Sequence, residues 1–297
     1  MPPSSTKGAR PSLYEWDRQV IVDLIVSATS PPTPDRRVAI VTGANHGIGA
    51  ATAVALATAG VDVLVTYLRA PASGDQPVEY DRQRAADAAD VLAAIEPLPG
   101  RAVAMEADLT DDDVADLLFD EAEARLGPVS ILVNNASGWV ADTFTPDAVD
   151  RLGRPLTAVS PATVDRNLGV DARAGALLLA ELARRHVARG ARWGRVVGLT
   201  SGGPMGFPQE VSYGAAKAAL ENYTMAASSE LAPYGITANI VHPPVTDTGW
   251  ITDEVRQAVR DSTELHHVAT PAEVADVIVW LCSDAARLVT GSRIHLR

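Results

Sequence analysis

Three polar side chains define the chemistry open to this chain. Tyr213 and Lys217 stand four residues apart in Ser212-Tyr213-Gly214-Ala215-Ala216-Lys217, and Ser201 follows the run Gly194-Arg195-Val196-Val197-Gly198-Leu199-Thr200. On a helix, positions i and i+4 share a face, so the phenol and the ammonium would sit side by side. A neighbouring cation favours the phenolate. It should draw the phenol, with an ordinary pKa of about 10, toward neutral pH as a general acid/base. The same spacing also makes an ordinary solvated helix face, and a serine after a strand is often a loop hydroxyl bonding its own backbone. The pair therefore gains its meaning from the elements around it.

The first such element is a glycine turn. Arg37-Val38-Ala39-Ile40-Val41 reads as a strand and runs into Thr42-Gly43-Ala44-Asn45-His46-Gly47-Ile48-Gly49, after which Ala50-Ala51-Thr52 opens a helix. A helix N-terminus behind a glycine turn presents free N–H groups and a favourable dipole to a phosphate. Gly43 allows the tight turn, Gly47 the approach of a pyrophosphate, and Gly49 close helix–strand packing. A glycine-rich turn without any ligand is the plainer reading of the same residues.

Beyond the turn, short β-branched runs alternate with longer Ala- and Leu-rich segments, as in successive βα units over a parallel sheet. Strands are expected at 37–42, 61–67, 101–106, 129–133, 194–200, 236–241 and 291–296. Helices are expected at 47–59, 81–95, 111–126, 161–188, 212–232 and 271–283. The fold class is α/β: a single-domain, Rossmann-like, doubly wound parallel sheet of about seven strands with helices on both faces. Residues 37–297 form the domain, and residues 1–36 a Pro/Ser/Thr-rich extension, largely disordered, with one short amphipathic helix conceivable over 14–26.

Bulk properties exclude several classes. The 297 residues are 47% hydrophobic, enough for a sizeable core, and the formal net charge of −12 with no basic run argues against nucleic acid or an anionic membrane as partner. No apolar run approaches the ~20 residues of a membrane span, and no basic-then-apolar leader marks secretion. Cys282 is the only cysteine, so the chain has no intrachain disulfide and no Cys-based zinc site, consistent with a cytoplasmic location. The six histidines are spread along the chain, and no metal site is expected.

The G-x-x-x-G-x-G turn together with Tyr-x-x-x-Lys resembles the short-chain dehydrogenase/reductase family over roughly residues 37–296. Further motifs fall in that family's order: Asp108-Leu109 after the third strand, Asn134-Asn135-Ala136 after the fourth, the run ending at Ser201, and Ile240-Val241-His242-Pro243-Pro244 with Thr248 beyond. Within the family the chain looks most like the 3-oxoacyl-carrier-protein reductase type. The resemblance implies a nicotinamide dinucleotide, a small carbonyl or alcohol substrate, and a homo-oligomer, tetramer or dimer.

By that resemblance the cofactor would be bound by Gly43, Asn45, His46, Gly47, Ile48 and Gly49, by Asp108 and Leu109 at the adenine, and by Asn134, Asn135 and Ala136 near the ribose and sheet end. Tyr213, Lys217, Pro243 and Thr248 would complete the site. Asp108 also reads as a helix cap, since Thr110-Asp111-Asp112-Asp113 follows it. The second strand ends Val65-Thr66-Tyr67-Leu68-Arg69, without the acid that would grip the 2′-hydroxyl of NAD. Arg69 could instead pair a 2′-phosphate, so NADP(H) is favoured, with NAD(H) as the second choice.

As the resemblance implies, Tyr213 donates the proton, Lys217 lowers its pKa and binds the nicotinamide ribose, and Ser201 hydrogen-bonds the carbonyl oxygen. Counting back from Tyr213 at the family's common spacing selects Thr200, whereas anchoring on Gly194-Arg195 selects Ser201. The family's fourth catalytic position, usually asparagine, falls on Asp171, with Asn167 one turn earlier. Ser137 and Pro244 depart from the family's glycines. The connection 138–160 is longer than usual, and Trp139, Phe144, Phe207 and Trp250 could wall an apolar pocket. The insertion 71–79 reads as an exposed adenine-side flap or plain surface. A catalytically impaired dinucleotide-binding protein is the alternative, since Asp171 alters the tetrad; an extended sugar epimerase would need a G-x-x-G-x-x-G turn that is missing.

Overall fold

The computed structural model describes residues 36–71, 77–150, 153–203 and 206–297. The expectations for the extension, apart from Arg36, lie outside these residues.

The chain opens with β1 (Val38–Val41), α1 (Gly47–Thr58) and β2 (Asp62–Tyr67), then α2 (Val78–Ala85), α3 (Ala89–Ile95), β3 (Ala102–Glu106), α4 (Val114–Arg125) and β4 (Val129–Asn134). A two-residue pair, β5 (Asp142–Thr143) and β6 (Thr157–Ala158), precedes α5 (Pro161–Asn167), a π-helical stretch over Leu168–Ala174, and α6 (Gly175–Ala188). Then follow β7 (Gly194–Leu199), α7 (Val211–Glu230), β8 (Ile236–His242), α8 (Asp253–Arg260), α9 (Pro271–Leu281) and β9 (Arg293–His295).

Seven strands form one sheet in the order β3-β2-β1-β4-β7-β8-β9, every neighbouring pair parallel. The order reverses between β1 and β4, so the crevice of a doubly wound sheet opens at the carboxyl ends of those two strands. Successive side chains on a strand point to opposite faces, and a parallel sheet covered on both sides buries both sets. Ala39, Val41, Val63, Val65, Ile131 and Val133 accordingly pack under α1, α3 and α9, while Val38, Ile40, Leu64 and Leu132 pack under α4 and α6. Cys282 lies in the first core, and burial pushes its thiol up to about 12. Among the described residues no helix is long and apolar enough to cross a membrane.

Three expectations are corrected. The helix over 81–95 is two helices, because Ala86 is extended at φ −75°, ψ 152°. The helix over 161–188 is interrupted by the π-helical stretch, which adds a residue to the turn carrying Asp171. Helix α8 was not anticipated, since its buried face consists of Val255 and Val259 alone.

Candidate active site

The glycine turn leaves β1 with Gly43 at φ +62° and Gly47 at φ +58°, conformations that favour glycine. A side chain at Gly43 would drive its Cβ to 2.8 Å from Ala136 Cα, and one at Gly47 to 3.0 Å from Thr248 Cγ2. Asn135 fastens the turn: its Nδ2 donates to the carbonyls of Thr42 and Gly43, both at 2.9 Å. Helix α1 starts after His46, which is extended and makes no side-chain cap, so its first N–H groups face the cleft. His46 Nδ1 and Asn134 Nδ2 are buried without a hydrogen-bond partner. A cradle this tight, with uncapped donors and an orphaned imidazole nitrogen, fits the phosphates of a dinucleotide.

The cleft is lined by Gly43, Asn45, His46, Gly47 and Ile48 of the turn, by Asp108 and Leu109 just after β3, and by Asn135, Ala136 and Thr248. Asp108 does not cap the helix that follows, whose N-cap is Asp113. Asp108 borders the cleft, and its Oδ1 also accepts from the Thr110 backbone N–H at 2.9 Å and hydroxyl at 2.8 Å. Pro243 follows β8 outside this lining. Arg69 also lies outside it, with its guanidinium on Glu106 (Nη2–Oε2 2.7 Å, Nε–Oε2 3.0 Å). The cleft instead takes Tyr80 and Arg84 from α2, just beyond the insertion 71–79, with Arg84 in the helix expected over 81–95.

Tyr213 and Lys217 share the first turns of α7, the ammonium 5.6 Å from the phenol ring centre. Ser201 lies close enough to the phenol to favour its ionisation, whereas Thr200 is buried and turns its hydroxyl to Glu221 at 3.5 Å. The geometry thus brings Ser201, not Thr200, to the tyrosine. Lys217 Nζ is 2.8 Å from Asp171 Oδ1, the two side chains 3% and 0% exposed. The other Asp171 oxygen accepts from the Gly138 backbone N–H at 2.7 Å and from Ser137 Oγ at 3.4 Å. Asp171 is therefore the lysine's counter-ion and links it to the loop after β4. Asn167 faces that loop instead, its amide exchanging hydrogen bonds with both backbone groups of Val140 at 3.2 Å.

The electrostatics reverse one expectation. Burial raises the Tyr213 pKa above its ordinary value; Lys217 opposes the rise, but Asp171 and Glu210 add to it. Burial alone would lower the Lys217 ammonium, but Asp171 and Tyr213 outweigh it and hold it above its ordinary value. The resting site holds a protonated phenol beside a paired ammonium.

The connection 138–160 is wired to the start of α7. Asp142, fully buried, accepts from the Ser212 backbone N–H at 2.8 Å, from its hydroxyl, and from Thr163 Oγ1 at 2.8 Å. Glu210, just ahead of α7, accepts from Trp139 Nε1 at 2.9 Å and Arg154 Nη2 at 2.8 Å, and Arg154 Nε reaches Asp150 at 2.6 Å. Of the four expected pocket aromatics, Phe207 packs against Tyr213, ring centres 5.8 Å apart, and Trp139 lines the cleft. Phe144 is 81% exposed, and Trp250 bonds the Thr246 carbonyl at 3.0 Å.

A family model described as Enoyl-(Acyl carrier protein) reductase matches residues 43–296. A cis-4-hydroxycyclohexanecarboxylate dehydrogenase of Sinomonas cyclohexanicum is 35% identical over 260 residues, 86% of this chain and 93% of the relative. A 3-oxoacyl-[acyl-carrier-protein] reductase of Synechocystis is 32% identical over 262 residues, 88% of this chain and 95% of the relative. The crystal structure of the angucycline C-6 ketoreductase LanV with bound NADP superposes with a TM-score of 0.69 at 32% identity, covering 87% of this chain and 93% of the other.

Proposed function

The chain belongs to the short-chain dehydrogenase/reductase family, and from that premise we propose that it reduces a ketone to a secondary alcohol with NADP(H), with Tyr213 as general acid/base. The observation that carries the reading is the convergence of Ser201, Tyr213 and Lys217, joined through Asp171 to the loop after β4, whose Asn135, Ala136 and Ser137 line the cleft. The dinucleotide would supply the hydride.

The chain's own residues would do the rest. Ser201 Oγ donates a hydrogen bond to the carbonyl oxygen and holds it at the tyrosine. Tyr213 Oη gives its proton to that oxygen as the carbon takes up two electrons with the hydride. A phenol held protonated is the form that donation requires, so the raised Tyr213 pKa suits reduction. Lys217, kept charged by Asp171, stabilises the tyrosinate left behind.

The substrate is a cyclic ketone, a polyketide ketone or a 3-oxoacyl thioester, the classes suggested by the relatives' activities. The same reading carries a cytoplasmic homo-oligomer, a tetramer or dimer, whose mass light scattering would read. Nothing in the comparisons favours the catalytically impaired alternative. The test is a panel of those carbonyls with NADPH and with NADH. NADPH consumption with at least one class is expected; tight NADPH binding with no turnover of any would replace the enzyme reading with the alternative.

A further inference from the structure

Recognition of NADP(H) over NAD(H) requires a cation at the end of β2, where the adenosine ribose meets the sheet. Arg69, the base that the sequence offers there, is already neutralised by Glu106 in a bidentate pair. The cations that do line the cleft are Arg84 and Arg166, and Arg166 lies 4.0 Å from the Asp108 carboxylate. Arg84 is half-buried, and among the described residues it has no carboxylate partner.

Its position is built from three directions. The Ala70 N–H donates to the Arg84 carbonyl at 3.0 Å, pinning that residue to the end of β2. Asn45 of the glycine turn donates to the carbonyls of Gln83 at 3.4 Å and Ala86 at 2.9 Å, tying α2 across the phosphate cradle. The Arg84 guanidinium lies 5.7 Å from the Tyr80 ring centre, and Tyr80 in turn meets His46 edge-on at 6.0 Å. His46, Tyr80 and Arg84 thus form one wall, with the orphaned His46 Nδ1 in it.

Resting on the NADP(H) reading above, we propose that Arg84 recognises the 2′-phosphate of NADP(H), with His46 as a neutral hydrogen-bonding neighbour, and that Arg69 is not its partner. Burial and the nearby Arg84 pull the His46 pKa down to about 4, so the imidazole adds no charge at neutral pH. The two carboxylates beside the site, Glu106 and Asp108, are satisfied by Arg69 and by Thr110. Asp81 flanks Tyr80 and makes an interaction of its own. The net charge offered to a dianion there comes from Arg84.

The test is direct titration of the full chain with NADPH, NADH and adenosine 2′,5′-bisphosphate, read calorimetrically and without turnover. Losing a charge-assisted contact to a phosphate, R84A should weaken NADPH and the bisphosphate by about tenfold or more. NADH binding should change by less than roughly twofold, since it lacks the phosphate. R84Q, which keeps the length of the side chain over Tyr80, should show the same selective loss, and Arg69→Ala combined with Glu106→Gln, which removes that ion pair as a unit, should leave both dinucleotides nearly unchanged. Equal loss of NADPH and NADH in both Arg84 variants, or selective NADPH loss in the Arg69/Glu106 double variant, would overturn the assignment. A wild-type chain that binds neither dinucleotide, or prefers NADH, would overturn the cofactor reading beneath it. A preference for NADPH that survives in R84A would sink Arg84 alone.

Discussion

A tyrosine beside a lysine is expected to ionise easily, yet burial holds Tyr213 protonated, and the carboxylate that answers its lysine adds to the effect. Asp171 occupies a position where asparagine is common in the family, and its charge acts on both partners: it fixes Lys217 as a cation and disfavours a second negative charge on the phenol. Alcohol oxidation needs the tyrosinate, so its rate should climb as pH rises through the Tyr213 pKa. In Asp171→Asn the repelling carboxylate is gone, and that rising limb should move to lower pH in a pH–rate profile. Asp171→Ala would leave a buried ammonium without an acceptor and should cost about 3–5 kcal/mol in a denaturant titration. Between the two hydroxyls at the end of β7, Ser201→Ala should lower turnover far more than Thr200→Ala, because Ser201 acts on the phenol while Thr200 is turned to Glu221. The reverse order in steady-state kinetics would move the carbonyl-holding role to Thr200.

At the level of elements, the long connection 138–160 is a strap, and its polar residues are spent on the helix that carries the chemistry. Asp142 satisfies the Ser212 N–H in the first turn of α7 and the Thr163 hydroxyl in α5, while Glu210 gathers Trp139 and Arg154 immediately before the same turn. A buried carboxylate that accepts from a helix N-terminus cannot be truncated without stranding those donors. Asp142→Ala should therefore cost roughly 2–4 kcal/mol in urea unfolding and lower turnover with it. Loss of stability without loss of turnover would show that the strap does not position Tyr213. These contacts were hidden in the sequence, because an acid 70 residues from a serine leaves no periodic trace. The π-helical turn at Asp171 was hidden for a related reason: its extra residue answers to Lys217 and Gly138, not to the local pattern of apolar residues.

Over the whole molecule, most of the architecture was legible because a covered parallel sheet writes itself as short runs of Val, Ile and Leu between amphipathic helices. All seven strands of the sheet lie within a residue or two of their expected places. Helix α8 and the β5–β6 pair escaped notice because they bury too few residues to make a pattern. The glycine turn and the Tyr/Lys pair were legible from type and spacing, but Arg69 and Arg84 were not separable that way, since only the folded chain shows which arginine Glu106 has taken. If the cleft prefers NADPH, ligand binding should stabilise the native fold by mass action. At a hundredfold excess over its dissociation constant, NADPH should add about 2.7 kcal/mol, or roughly 5 °C in Tm. NADH at the same concentration should add less, and an equal shift would argue against discrimination at the 2′ position.

The reading of Tyr213 as the proton donor can be separated from every question of substrate identity by one variant. Tyr213→Phe keeps the ring that packs on Phe207 and removes only the hydroxyl. With any ketone that the wild type reduces, single-turnover oxidation of bound NADPH should slow by about a thousandfold while NADPH binding is retained. Turnover close to wild type in that variant would contradict the account.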